Sequence, residues 1–150
     1  MTSDLIHVSS TAQSTASAEA VFAVIADGST WPHWSAIKTF TLQTPGADGA
    51  EGVGAVRRWN SGLMTTIEQV VEVEAPTKFA YTLLESKLVL VRDYRADVVI
   101  TPTATGCSVQ WSSEFRPKVP GTGWFWRIAL GKLGASLASG AAEYAQTLAK

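Results

Sequence analysis

Two hydrophobic periods divide the chain. Between residues 5 and 13, and again between 37 and 115, apolar and polar positions tend to alternate, the period of half-buried strands. Over residues 122–150 the spacing changes. Trp126, Leu130, Leu133, Leu137, Ala141, Tyr144 and Leu148 recur at steps of four and three, which predicts one long amphipathic helix. Gly121 and Gly123 precede it, and Thr122 has the residue type of an N-cap. Such a helix spans roughly 40 Å at 1.5 Å per residue. Its stripe needs a partner of similar length, and only a sheet built from the rest of the chain can supply one.

The order of elements follows from the punctuation. Ile6 and Val8 share one side of a first strand, and His7, Ser9 and Thr11 the other. Ser17 caps a short helix over 18–26 with Val21, Phe22 and Ile25 inward, and Asp27-Gly28 ends it. Trp31-Pro32-His33-Trp34 follows, with Pro32 suited to the first turn of a second short helix. Strands are then expected around Phe40 and Leu42, over 53–59 and over 65–74. Three more follow around Phe79 to Leu83, Tyr94 to Ile100 and Val109 to Phe115, joined by short turns. The fold class is α+β: a curved antiparallel sheet of about seven strands wrapped around the long helix, with two short helices between strands one and two. No linker divides the chain, so residues 1–150 read as one domain. Small residues in the long helix, among them Gly131, Gly134, Ala138 and Gly140, fit either close packing on the sheet or an empty space beneath it.

Composition narrows the class. Hydrophobic residues make up 46% and charged residues 17% of the 150, which excludes disorder, and the net charge of −1 gives no footprint for nucleic acid or an anionic membrane. Cys107 is alone, so no internal disulfide forms, and His7 and His33 have no neighbouring Cys or carboxylate cluster, so neither metal nor cofactor is expected. No signal peptide and no transmembrane run is visible; a cytoplasmic protein is the default expectation, as monomer or homodimer.

Six Trp residues suit either a large core or an apolar ligand site, and Trp59, Trp111 and Trp126 carry both readings, with Leu130 beside them on the helix stripe. Arg57 and Glu68 fall on strands expected to be adjacent. Facing inward together they would form a buried polar pair; facing outward they would be a solvated cross-strand pair. Arg57 shares a face with Trp59, which favours inward. Glu68 shares a face with Glu72, which favours outward. Arg92, Asp93 and Arg95 read as a solvated charge cluster. No nucleophile elbow, P-loop or dinucleotide fingerprint is present. Acid/base work would fall to Glu68, Tyr81, Tyr94 and Arg57.

The element order resembles the helix-grip superfamily of Bet v 1-like, START-like and polyketide cyclase/dehydrase-like (SRPBCC) proteins. The residues that carry the likeness are Val21-Phe22 with Asp27, Trp31-Pro32-x-Trp34, Gly52-Val53-Gly54 with Arg57, 106–111, and Glu114-Phe115-Arg116-Pro117. Asn60-Ser61-Gly62-Leu63, Glu68 and Val91-Arg92-Asp93-Tyr94-Arg95 are similar to the gate and latch of plant abscisic acid receptors. That narrower resemblance implies Leu63 as gate, Glu68 and Tyr94 as polar pocket groups and Tyr81 as wall. The chain departs from it at Met64, where the gate proline is missing, and at Ser35, where the pairing lysine is missing.

Three functions are expected. The first is binding of a small hydrophobic ligand with one polar or acidic end, held by Arg57 with Arg92 as the next cation. The second is a cyclase or dehydratase using the same cavity. The third is a filled cavity and a protein-binding surface, and a cavity below about 300 Å³ favours it.

Overall fold

A computed structural model describes residues 5–47 and 50–148. Strand β1 (Ile6–Ser14) leads into α1 (Ala18–Ala26), a 3-10 helix (Gly28–His33), and β2 (Thr39–Thr44). Then come β3 (Val56–Asn60), β4 (Thr65–Glu74), β5 (Lys78–Lys87), β6 (Val91–Thr103), β7 (Gly106–Pro117) and α2 (Gly123–Leu148). All strand pairings are antiparallel, in the order β1-β7-β6-β5-β4-β3-β2. β1 returns to pair with β7, so the sheet curls and α2 lies along its concave face against β1 and β7. This is the helix-grip arrangement.

Local chemistry places the short elements. Ser17 Oγ accepts from the Ala20 amide at 3.1 Å and caps α1, and the Asp27 carboxylate accepts from the Ser29 amide at 3.0 Å and starts the 3-10 helix. Pro32 stands near the end of that 3-10 helix rather than in its first turn, because Asp27 supplies the cap earlier. β3 begins three residues later than the alternation predicts. Gly54 adopts a positive φ of 94° and the Ala55 amide bonds back to the Gly52 carbonyl at 3.0 Å, so Val53 turns outward, 47% exposed. Thr122 precedes α2 as expected, but its hydroxyl donates to the Val119 carbonyl at 2.6 Å instead of accepting from the helix. The last two residues of the expected helix, 149 and 150, lie outside the described residues, as do 48 and 49 of the loop before β3.

The helix has two unlike halves. In its C-terminal half Ala138, Ala141, Ala142 and Ala145 are buried against α1 and the sheet, and Ser14 Oγ donates to the Ala142 carbonyl at 2.8 Å. In its N-terminal half Leu130 is buried, Trp126 is partly buried and Leu133 is 42% exposed. The small residues therefore serve close approach at one end and leave space at the other.

The glycines differ in the same sense. A Cβ on Gly140 would collide with the Trp34 carbonyl oxygen, whereas one on Gly131 would meet Val8 Cγ1 at 3.9 Å, an ordinary contact. An interior helix Gly costs about 1 kcal/mol relative to Ala. Gly131→Ala should therefore raise stability by up to about 1 kcal/mol, and Gly140→Ala should lower it despite the same propensity gain. Thermal melts of the two variants should move in opposite directions; a stabilised Gly140→Ala would contradict the close approach of α2 to the 3-10 helix.

Candidate functional site

Between the sheet and the N-terminal half of α2 lies a cavity of about 160 Å³, partly open to solvent. The sheet contributes Trp59, Thr66, Glu68, Tyr81, Leu83 and Tyr94; the helix contributes Leu130, Leu133, Ser136 and Leu137. Trp31 closes the inner end, stacked on Trp59 with ring centroids 4.3 Å apart. Ser61 and Met64 of the β3–β4 turn, Val89 of the β5–β6 turn and 35–37 form the mouth. The volume is below about 300 Å³, which by the expectation above counts for the filled-cavity reading and against a drug-sized ligand, but it is close to the roughly 150 Å³ that holds a benzene ring in an apolar protein cavity.

Glu68 faces this cavity, although simple alternation with Glu72 points it outward. A bulge in β4 resolves the conflict. Val70 pairs with Tyr81 and Glu72 with Ala80, so Val71 is the extra residue and the phase changes there. Glu72 consequently lies outside, bonding Arg95 Nη2 at 2.9 Å and Lys78 Nζ at 3.2 Å, while Thr66, Glu68 and Val70 face in. Trp59 Nε1 donates to Glu68 Oε1 at 2.7 Å, and Trp59 is the one hydrogen-bond partner of this carboxyl among the described residues. Burial pushes the Glu68 carboxyl up to about 7; the charge of Arg57 and the Trp59 bond offset only part of that rise.

The two tyrosines stand side by side on the sheet. Trp111 Nε1 donates to the Tyr81 hydroxyl at 3.2 Å, and the Tyr94 hydroxyl lies close to Tyr81 and Ser113. Burial raises both phenols above their ordinary range, Tyr81 well above it, so both remain neutral donors at physiological pH.

Arg57 faces inward and is fully buried, but it is not among the residues that line the cavity. Its guanidinium lies beneath the wall, 4.7 Å from the Trp59 ring centroid, 4.9 Å from Phe79, 5.2 Å from Trp31 and 5.9 Å from Tyr81. Nη1 donates to the Ile25 carbonyl and to Glu51 Oε1, each at 3.3 Å, while Nε and Nη2 have no hydrogen-bond partner among the described residues. Burial lowers the Arg57 pKa, and burial raises that of Glu51.

Of the residues singled out from the sequence, the cavity brings together Trp59, Glu68, Tyr81, Tyr94 and Leu130. Trp111 is buried one layer behind, and Trp126 packs with Val91 and Phe115 beside the mouth. Leu63 is 84% exposed and does not line the cavity; Met64 next to it does. Arg92 pairs with Asp93 at 3.4 Å on the surface, and Arg95 leaves the expected cluster for Glu72 and Asp97. The lining residues not foreseen are mainly Trp31, Leu83, Val89 and Ser136. Trp31 stood in a motif already noticed; the others gave no signal beyond being apolar or small.

Two outcomes follow. A carboxyl with a folded pKa near 7 and an ordinary unfolded value holds more protons when folded, so its burial costs stability as pH rises from about 4.5 through 7. Glu68→Gln should abolish that loss and be more stable than wild type at pH 8 by ~2 kcal/mol, with the gap closing towards pH 4. Parallel pH profiles for the two proteins would mean the carboxylate is well solvated. Arg57→Met should cost roughly 3 kcal/mol in denaturant unfolding, because it strips Glu51 and the Ile25 carbonyl of a buried partner. A variant as stable as wild type would contradict the aromatic box.

The comparisons with known proteins agree with this geometry. The family model described as polyketide cyclase / dehydrase and lipid transport matches residues 6–148. No curated protein matches the sequence. Among solved structures, a START superfamily protein from Mycobacterium smegmatis has a TM-score of 0.81 at 19% identity, covering 95% of this chain and 98% of its own. Norcoclaurine synthase from Thalictrum flavum, in complex with dopamine and hydroxybenzaldehyde, has 0.71 at 16%, covering 99% and 88%. The di-domain ARO/CYC StfQ from the steffimycin biosynthetic pathway has 0.78 at 12%, covering 97% of this chain and 52% of its own. At these identities the structural likeness speaks for the fold, and the narrower resemblance to plant abscisic acid receptors is not confirmed. With a curled sheet around one helix, a cavity between them and a family match over nearly its whole length, this chain belongs to the polyketide cyclase / dehydrase and lipid transport family.

Proposed function

We propose that the protein binds a small, largely apolar molecule, about one ring in size, whose polar end is a hydrogen-bond donor. Glu68 carries this reading: it is the one carboxylate among the lining residues, and no cation lines the cavity beside it. An acidic end, expected when Arg57 was taken as the anchor, is disfavoured. A ligand carboxylate would face Glu68 with no compensating charge in contact. A hydroxyl or ammonium would instead find a carboxyl oxygen that Trp59 leaves free. Tyr81 and Tyr94 add orientation, and Leu83, Leu130 and Leu137 supply apolar contact.

A second reading rests on one observation. A carboxyl with a pKa of about 7 in a mostly apolar cavity can take and return a proton near neutral pH, as a dehydratase or cyclase requires. The neutral phenol of Tyr94 would then donate to an oxygen on which charge develops.

Calorimetry with phenethylamine, phenethyl alcohol and phenylacetate distinguishes the ligand classes. The amine should bind, and more tightly as pH rises through 7, since Glu68 is then charged. The acetate should bind weakest of the three. Glu68→Gln should weaken the amine by roughly 1.5–3 kcal/mol, the value of a hydrogen bond to a charged group, and should remove the pH dependence. Phenylacetate binding better than the amine would overturn the donor-end reading.

A further inference from the structure

The end of the molecule where the cavity opens holds large apolar side chains out in water. Leu63 projects from the β3–β4 turn, Leu88 and Leu90 from the β5–β6 turn, and Trp124, Phe125 and Ile128 from the first turns of α2, each at least 45% exposed. The register gathers them at one end. Thr65, after the first turn, pairs with Lys87, before the second; Val91 pairs with Pro117; and the Lys118 amide donates to the Leu90 carbonyl at 2.9 Å just ahead of α2. Scattered apolar residues on a surface need no explanation, but a cluster with two aromatic rings does.

The charges around this cluster are mainly basic. Lys38, Lys87, Lys118, Arg127 and Lys132 are exposed there, and none is paired with a carboxylate among the described residues. Glu85 shares an outer groove with three cations, Arg58, Lys87 and Lys118, Asp93 is flanked by Arg92 and Arg116, and Glu114 faces His7, so the basic groups outnumber the acidic ones at this end. The net charge of −1 is that of the whole chain, and Glu19, Asp27, Glu51 and Glu143 lie on or beside α1, the loop before β3 and the last turns of α2, away from these turns in sequence.

We propose that the apolar, basic end docks on an anionic phospholipid surface, with Trp124, Phe125 and the leucines entering the boundary between headgroups and acyl chains and the lysines and arginines meeting lipid phosphates. Aromatic rings favour that boundary, and basic side chains beside an apolar helix face add attraction to anionic lipid. No helix is long and apolar enough to cross a membrane, so the contact lies on the surface. A second copy of the chain fits this end less well, because a two-fold contact would set one basic rim against another. Docked this way, the cavity mouth opens towards the lipid rather than towards water.

The test is flotation with vesicles of phosphatidylcholine alone and of equimolar phosphatidylcholine and phosphatidylglycerol, at low and high salt. Binding is expected to the anionic vesicles only and to weaken with salt. Trp124→Ser/Phe125→Ser and Arg127→Glu/Lys132→Glu touch no residue that lines the cavity, and each should lower partitioning about tenfold or more while the melting temperature stays near wild type. Quenching of tryptophan fluorescence by lipids brominated along their acyl chains should fall in Trp124→Phe. Equal recovery with both vesicle types, or no recovery with either, would overturn the proposal. So would a wild-type dimer in solution that the Trp124→Ser/Phe125→Ser variant dissolves, which would assign the patch to self-association.

Discussion

A guanidinium without water around it holds the inner end of this fold together. Arg57 sits on β3, yet its neighbours come from α1 through the Ile25 carbonyl, from the 3-10 helix through Trp31, from β5 through Phe79 and Tyr81, and from the loop before β3 through Glu51. Two of its nitrogens find no hydrogen-bond acceptor among the described residues, so the faces of the rings help offset the cost of removing the charge from water. That arrangement fixes Trp31 and Trp59 as a stacked pair, and the stacked pair is the floor of the cavity. The cation thus shapes the site without entering it. It also leaves Glu68 as the one charged side chain lining the space above among the described residues.

The size of that space follows from the same packing. Seven strands curling around a helix enclose room that large side chains must fill or leave. Here Trp31, Trp59 and Tyr81 fill the inner part, and the alanines of α2 let the helix settle onto α1 and the sheet. What remains is beside Leu130, Leu133 and Leu137, where the helix stands off. A fold able to enclose a large ligand has been narrowed to one ring by tryptophans, which are wide, flat and rigid. Of the tryptophans expected as core or as ligand platform, Trp111 is buried and Trp126 half-buried outside the lining, while Trp59 stacks on Trp31 and turns its indole N–H to Glu68 at the cavity.

Most of the architecture was legible because it depends on repeated patterns. The boundaries of α1 and β4 follow from a cap at Ser17 and from uninterrupted β character between Thr65 and Glu74. What was not legible depends on single residues that break a pattern. The extra residue at Val71 reverses the face that Glu72 occupies, and alternation counted across it gives the wrong side for Glu68. Gly54 at positive φ ends the strand reading before Val56. The partner of Arg57, Glu51, lies in a loop with no period at all, so nothing in the sequence joined the two. Facing inward and lining a cavity are different statements; periodicity addresses only the first, and Arg57 satisfies only the first.

The two halves of α2 separate stability from use. Its C-terminal half is dry, with small residues, a bond from Ser14 Oγ to the Ala142 carbonyl and a glycine pressed against the 3-10 helix. Its N-terminal half has no side-chain cap from Thr122, carries exposed rings and forms one wall of the cavity mouth. Local opening is cheapest where few apolar contacts are buried and helix ends are uncapped. Leu133 and Met64 line the cavity from the helix and from the β3–β4 turn and are both exposed, so on the proposed function a molecule would pass between them. Movement of the first turns of α2 would widen that passage without disturbing the alanine seam. The residues that make this half of the helix a poor core element, large apolar groups facing out and cations among them, are the same ones that suit it to meeting something other than water.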